Sequence, residues 1–486
     1  MDTRQIYNWV DGKESPATSG IRLKKINPHT GLVDSECIAS SPEDVRQAVT
    51  AAEAAFPAWS ELTPVGRGGI LSAWGRLLRE RQQELTEIIV RETAKPPQDA
   101  GGEVHAALAQ GEYFAGEGMR LYSRSLTSGT PGKYSHTVRQ PRGVAGLIVP
   151  ANTPLANIAW KVFPALICGN TAVLKASEDA PELAVAVAKL GKLAGLPDGV
   201  LNVLQGGGDP TGRALVEDAR VAVISFTGST AVGRWIAEVG GRRLARISLE
   251  LGGKNPFVVC DDADLDMAVH WASLSAFSNA GQRCAAGSRI LIFEGIYEAF
   301  VEKLVAKATS LKLGVDQGCD LGPVITAQQQ SKILAAIERA RQAGGRVLCG
   351  GKVPGAEKLR NGFYIEPTLI DGLPDDAEMC TREMFGPVAS VQRVRDVAHA
   401  LQVANASEYG LTAAIHTRNV DRAMWFAQRV RAGVVNINIG TFGSEPHMPF
   451  GGFRASGNGT REPGVEALDV YSELKNISFL VRDALI

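Results

Sequence analysis

Between Gly143 and Gly253 the chain alternates short apolar runs with longer runs of helical period, and this alternation restricts the fold more than any other feature. The strand-like runs are Val144–Val149, Thr171–Lys175, Val200–Leu204, Val221–Phe226 and Arg246–Leu251. Helix-like runs separate them. The first opens with Pro154 in its first turn, carries Leu155, Ile158, Ala159, Val162, Phe163 and Leu166, and stops at Gly169. The second opens at Pro181 and stops near Gly195; the third and fourth follow Asp209-Pro210 and Gly228-Ser229-Thr230. Strands separated by such helices predict βαβ units and a parallel sheet, an α/β fold. Sheets of this kind bind ligands beyond the carboxyl ends of their strands. That points to Asn152, Lys175, the loop 206–208, Gly228, Ser229 and Glu250.

The flanking regions read differently. Residues 44–120 carry helical periodicity, for example Val45, Ala48, Val49, Ala52, Ala55 and Phe56 on one face. Residues 121–140 alternate around a Thr-Pro-Gly turn and predict a hairpin reaching away from a core. A second α/β stretch runs from about 253 to 456, and Asn476–Val481 is a last strand-like piece. A length of 486 residues suits two to four domains.

Composition excludes several classes. With 45% hydrophobic and 21% charged residues, the chain is neither disordered, collagen-like nor coiled coil. A net charge of −1 offers no footprint for nucleic acid or an anionic membrane. The longest apolar stretch, Val144 to Leu174, is interrupted by Pro150, Asn152, Pro154, Lys161, Pro164 and Asn170, so it predicts no membrane span. Seven scattered cysteines without a CxxC pair, and histidines without HExxH, predict neither a disulfide framework nor a metal site. The opening MDTRQIYNWVDGKE has no apolar core of a secretory signal. The expectation is a soluble cytoplasmic protein.

Three segments carry chemistry. Phe226 to Gly233 joins a strand to a helix, and its glycine and hydroxyls suit either a pyrophosphate at a helix N-terminus or a plain helix cap. Glu250-Leu-Gly-Gly-Lys-Asn-Pro256 places a carboxylate at a strand end, either a general base or a surface acid beside a turn. Asn279-Ala-Gly-Gln-Arg-Cys284 precedes small residues, a setting that fits an exposed thiolate better than a core cysteine. Cys168 and Cys260, among bulky apolar neighbours, read as core.

Taken in order, Glu250-Leu-Gly-Gly-Lys254, Gly281-Gln-Arg-Cys284, Glu383-Met-Phe-Gly-Pro387 and Pro449-Phe-Gly-Gly452 make the chain resemble the aldehyde dehydrogenase superfamily. The likeness runs from the WVDGK at 9–13 to the YSELK at 471–475. It implies a dinucleotide-binding domain from 1–121 and 142–252, a catalytic domain from 253–456, and a bridging oligomerisation sheet from 122–141 and 470–486. It also implies a homodimer or homotetramer, a small-molecule aldehyde substrate, and NAD as cofactor with NADP possible. In this likeness Cys284 is the nucleophile, forming a thiohemiacetal that loses hydride to become a thioester. Asn152 and the Cys284 N–H hold the oxyanion, and Glu250 activates the hydrolytic water. Lys175 and Glu178 hold the adenosine ribose, Gly228 and Ser229 meet the pyrophosphate, and Glu383 and Phe385 hold the nicotinamide riboside. Lys161 and Glu462 resemble a pair that carries protons away from the base, although the segment Ser456–Gly464 runs one residue longer than the commonest form.

The chain also departs from that pattern. Pro150-Ala-Asn-Thr-Pro154 keeps Asn152 but replaces two aromatic neighbours with small residues, vacating space near the substrate tunnel. Thr153, Asn157, Arg283, Glu445 and His447 are candidates for the tunnel mouth, which suits either a semialdehyde with a polar tail or a bulky aromatic aldehyde. Three other classes stand against simple aldehyde oxidation: a CoA-acylating enzyme, a non-catalytic crystallin-like relative and a thiol hydrolase. Glu250 counts against the first, the intact set of site residues against the second, and the nucleotide-binding residues against the third.

Overall fold

The computed structural model describes residues 3–481. Val144–Ile148, Thr171–Lys175, Leu201–Leu204, Val221–Thr227 and Arg246–Glu250 pair in parallel, each end within one residue of where the alternation puts it. Across the sheet the order is Arg246–Glu250, Val221–Thr227, Val144–Ile148, Thr171–Lys175, Leu201–Leu204, and the hairpin Asn8–Val10 and Lys13–Ser15 adds two antiparallel strands. The order in which strands are added across the sheet reverses between Val144–Ile148 and Val221–Thr227, which remain parallel. The crevice beyond their carboxyl ends is where doubly wound sheets take ligands.

Helices Pro154–Ile167 and Pro181–Leu193 form as expected, each with proline in its first turn. The third connection departs from expectation. An irregular turn at Gly208–Gly212 leaves only Arg213–Glu217 as α-helix, because glycines at 206–208 and Pro210 supply little helix propensity.

The helical stretch 44–120 resolves into Pro42–Glu61, Pro64–Glu80, Gln82–Thr93 and Pro97–Glu117. Ser41 and Asp44 close a capping box on the first, Thr63 caps the second, and Ala94 ends the third in the left-handed region. This layer is fastened to the helices Pro154–Ile167 and Pro181–Leu193. The buried indole of Trp59 donates to Leu166 O at 3.2 Å, and that of Trp74 donates to Val187 O at 3.1 Å. The Trp74 ring stacks on Phe163 at 5.0 Å. Burying each such ring stabilises by about 1.5–3 kcal/mol, with its polar N–H satisfied.

A second seven-stranded sheet runs Arg346–Cys349, Thr368–Asp371, Val388–Val394, Arg289–Phe293, Pro256–Val259, Thr412–His416, Val434–Ile437, parallel except for its first pair. The expected hairpin is present as Ser125–Leu126 and Lys133–Pro141. Ser472–Leu480 zips antiparallel onto it, from Ser472 opposite Pro141 to Leu480 opposite Lys133. Residues 482–486 of the anticipated 470–486 segment lie outside the described residues. A further small sheet, Arg4–Ile6, Val33–Ile38 and Arg22–Ile26, was not anticipated. Among the described residues no helix is long and apolar enough to cross a membrane, and no group of three His, Cys, Asp or Glu side chains is arranged to hold a metal.

Candidate active site

A cleft of about 560 Å³ opens where the two large sheets meet, lined by Asn152, Gly228, Ser229, Glu250, Cys284 and Glu383 among others. The first sheet contributes Asn152 just past one strand, Thr227 to Ser229 at the end of another, and Glu250 as the last residue of a third. The second half contributes Cys284, Glu383, Phe385 and Phe450.

Cys284 sits on a strained loop after the helix Leu265–Phe277. Asn279 and Ala280 both hold φ at +53°, a conformation costing roughly 1–2 kcal/mol for a residue with a Cβ. Gly281 follows at φ +66°, where a Cβ would fall 2.0 Å from Gly386 O, so only glycine fits. Asn255 clamps the other side: its Nδ2 donates to Cys284 O and Ala286 O, each at 2.8 Å, while its Oδ1 accepts from Thr412 N at 2.9 Å. The expectation of an exposed thiolate is corrected here. Cys284 is only partly accessible, and burial, then the charges of Glu383 and Glu250, push its thiol up to about 12. Small polar neighbours in sequence say nothing about acids brought from elsewhere in the chain. Cys168 and Cys260 are buried core, as expected.

Asn152 is buried, and its Nδ2 donates to Gln282 O at 2.9 Å, using one of its two amide hydrogens. Glu250 is 3% exposed, yet neither carboxylate oxygen has a hydrogen-bond partner. Burial, then the neighbouring Glu462, raise its carboxyl well above the ordinary range; Lys161 and Arg461 oppose this more weakly. Behind it the Lys161 ammonium bonds Glu462 at 2.8 Å and Ser225 Oγ at 2.7 Å. Ser225 and Ser248 both donate to Glu462 Oε1, at 2.7 and 2.8 Å. The longer Ser456–Gly464 segment therefore does not separate Glu462 from Lys161.

Of the residues expected to meet a dinucleotide, Gly228, Ser229, Glu383 and Phe385 line the cleft, and Lys175 and Glu178 lie off its lining. Lys175 ends its strand with Nζ 3.0 Å from Glu178 Oε2, the lysine buried and the glutamate partly exposed. Gly228 lies so close to the Phe226 ring that a Cβ would meet it at 2.4 Å. Ser229 caps the helix Thr230–Arg242, whose N-terminal dipole favours an anion. Glu383 accepts from Gly253 N at 3.1 Å, and burial lifts its carboxyl to about 7. Gln329, which sequence reasoning missed, donates to Met384 O at 2.8 Å and Phe385 O at 3.2 Å, holding that segment on the wall. A helix N-terminus that favours an anion, together with the carboxylates of Glu178 and Glu383, has the chemistry to take a dinucleotide.

The tunnel candidates divide. Thr153 and Asn157 line the cleft beside Trp160 and Phe450, whose rings lie 5.3 Å apart. Arg283 lies off the cleft lining; it stacks over Phe442 at 5.0 Å, and its Nε donates to Ser278 Oγ at 3.2 Å. Glu445 and His447 are exposed and lie off the cleft lining, and Ala151 is buried away from it. The loop beyond Thr441 carries the first two out to solvent, and the turn at Pro150 directs residue 151 inward.

The chain belongs to the aldehyde dehydrogenase family, whose defining pattern matches residues 15–477. It is 37% identical over 475 residues to a glutarate-semialdehyde dehydrogenase of Pseudomonas putida, covering 97% of each chain. It is 37% identical over 468 residues to a succinate-semialdehyde dehydrogenase [NADP(+)] of Escherichia coli, covering 96% of each. Among solved structures, PnpE in complex with nicotinamide adenine dinucleotide superposes with a TM-score of 0.95 at 38% identity, covering 99% of this chain and 98% of that one. The protein is accordingly an NAD(P)-dependent aldehyde dehydrogenase that oxidises an aldehyde to a carboxylic acid. The acylating and non-catalytic alternatives are not favoured by these relatives.

Proposed function

We propose that Cys284, Asn152 and Glu250 carry the reaction, and that the substrate bears a carboxylate at the end remote from its aldehyde. The Cys284 sulfur adds to the aldehyde carbon, and the carbonyl oxygen becomes an oxyanion beside the uncommitted amide hydrogen of Asn152. A bound dinucleotide supplies the acceptor for the hydride leaving that carbon, which leaves a thioester on Cys284. Glu250 then takes a proton from the water that attacks the thioester; the carbon–sulfur bond breaks, releasing the acid and the thiol. Lys161 and Glu462, packed behind Glu250, carry its proton onward. One observation carries this reading: a buried carboxylate with both oxygens unpartnered lines the same cleft as a partly accessible cysteine. Structural carboxylates in a core are normally hydrogen-bonded.

Lys175, Glu178, Gly228, Ser229, Glu383 and Phe385 hold the dinucleotide in this reading. Residues 1–121 and 142–252 form its binding domain, and 253–456 the catalytic domain. The segments 122–141 and 470–486 form an oligomerisation sheet in a homodimer or homotetramer. Support for the last comes from Tyr134, Leu474, Phe479 and Leu480, which stand 50–57% exposed on that small sheet. Seven free cysteines suit the reducing cytoplasm.

Arg283 supports the choice of substrate. It immediately precedes the nucleophile, and among the described residues no carboxylate pairs with it. The relatives named for glutarate and succinate semialdehydes act on aldehydes of this class. Trp160, Phe450 and the small Thr153 favour a second reading, a bulky aromatic aldehyde. An aldehyde panel decides, read by absorbance of the reduced nicotinamide with NAD and NADP in parallel. Glutarate semialdehyde should exceed pentanal in kcat/KM by about tenfold or more, as charge-assisted pairing predicts, and Arg283→Met should erase the difference. Preference for benzaldehyde over both would transfer the assignment to the aromatic reading, and a requirement for CoA would overturn hydrolysis.

A further inference from the structure

Asn152 is held from behind by an ion pair that belongs to neither large sheet. Lys95 lies in the short link after the helix Gln82–Thr93, and Glu103 in the helix Pro97–Glu117. Their side chains, each 4% exposed, meet at 2.7 Å. Lys95 Nζ also donates to the main-chain oxygen of Asn152 at 2.8 Å. The second carboxylate oxygen of Glu103 accepts from Leu155 N at 2.8 Å, capping the first turn of the helix that follows Asn152. The same Asn152 oxygen accepts from Asn279 Nδ2 at 3.1 Å, which ties it to the loop carrying Cys284.

We propose that Lys95 and Glu103 are positioning residues that fix the oxyanion donor Asn152 relative to Cys284. The proposal rests on the reading of Asn152 given above. Pro154 offers no N–H, and a loop between Pro150 and Pro154 has few backbone bonds with which to define itself. The Asn152 carbonyl and the start of the helix after it are instead gripped from the helical layer, the first by a charged donor and the second by a charged acceptor. Charge-assisted bonds are shorter and roughly twice as strong as neutral ones. Catalytic hydrogen bonds need this control, because a displacement of about 1 Å can cost about a hundredfold in rate. Arrangement and burial together exclude a solvated surface pair.

The test is a double-mutant cycle of Lys95→Met with Asn152→Ala in the full-length enzyme, reading kcat/KM for the best aldehyde of the panel, with NAD affinity measured separately. Lys95→Met should lower kcat/KM by about 10- to 100-fold in the native background and by less than about threefold once Asn152 is alanine. NAD affinity should change less than about twofold, since Lys95 lies outside the dinucleotide groove. An equal loss in both backgrounds, or a matching loss of NAD affinity, overturns the proposal. Glu103→Gln keeps an acceptor for Leu155 N while removing the charge; it carries the same cycle if Lys95→Met fails to fold by thermal denaturation. Wild-type turnover in Asn152→Ala alone overturns the oxyanion reading itself, an outcome distinct from a failed coupling.

Discussion

The Lys161 ammonium and the Glu462 carboxylate meet at 2.8 Å with neither side chain exposed to solvent, in direct electrostatic reach of Glu250. The two partners push Glu250 in opposite directions. Glu462 raises its carboxyl and Lys161 lowers it. Glu462→Gln should therefore shift the ascending limb of the pH–rate profile for thioester hydrolysis to lower pH, and Lys161→Met should shift it to higher pH. Single-turnover deacylation rates across pH measure both. Shifts of the same sign in the two variants would show that the pair acts on Glu250 through packing rather than charge. Each variant also leaves a buried charge without its partner, at a cost of about 3–5 kcal/mol of stability.

Glu250→Gln tests the base itself. Acylation should proceed and produce a burst of reduced nicotinamide close to one per active site. Steady turnover should then fall about 10²–10⁴-fold, the typical range for general-base assistance. Intact mass would reveal the acyl group trapped on Cys284. A slow burst would assign deprotonation of Cys284 to Glu250 as well, since the thiol is raised to about 12 and needs a base.

The same variant should be more stable than wild type. The Glu250 carboxyl is raised on folding, so the folded state keeps a proton that the unfolded chain releases near the ordinary glutamate value. Stability consequently falls as pH rises through the window above that value. Glutamine removes the cost of burying a carboxylate, so Glu250→Gln should gain about 1–3 kcal/mol at neutral pH and nothing at pH about 3. Tm measured at both pH values checks the sign.

Cys284→Ala and Cys168→Ala should separate chemistry from packing. The first should abolish oxidation while leaving NAD affinity intact. Cys168 lies in the core at 1% exposure, so its loss should cost about 1 kcal/mol through a small cavity and leave kcat unchanged. Turnover in Cys284→Ala would remove the covalent mechanism.

Cofactor choice follows from Glu178. Its carboxylate, at 3.0 Å from Lys175, can accept ribose hydroxyls and repels a 2′-phosphate, so kcat/KM should favour NAD over NADP. Glu178→Gln should narrow the ratio. A clear NADP preference in the wild type would mean that Lys175 outweighs Glu178.

Local pattern made some of this architecture readable and distance hid the rest. Val144–Ile148 and Thr171–Lys175 announce themselves because each has an apolar centre, the first set between Gly143 and Pro150 and the second starting just after Gly169. Arg4–Ile6 pairs with Val33–Ile38, and Arg22–Ile26 pairs with the same strand from its other side, yet their exposed faces break the apolar alternation on which recognition depends. Cys284 and Glu250 were visible as motif residues. The upward push on the Cys284 thiol was not, because its burial, and after that the charge of Glu383 from a different part of the chain, arise only in the fold. Lys95 and Glu103 look like an ordinary charged pair around a helix start, and only the fold shows that their common target is residue 152.

Ser472–Leu480 and the segment just before it have a consequence for biosynthesis. Lys161, Ser225 and Ser248 are translated long before Glu462, the residue that all three bond. A first sheet formed before residue 462 is available would hold the Lys161 amine without its counter-charge and would lack Tyr471 in its core. The ion pair behind Glu250 is therefore closed only after most of the sequence has been translated.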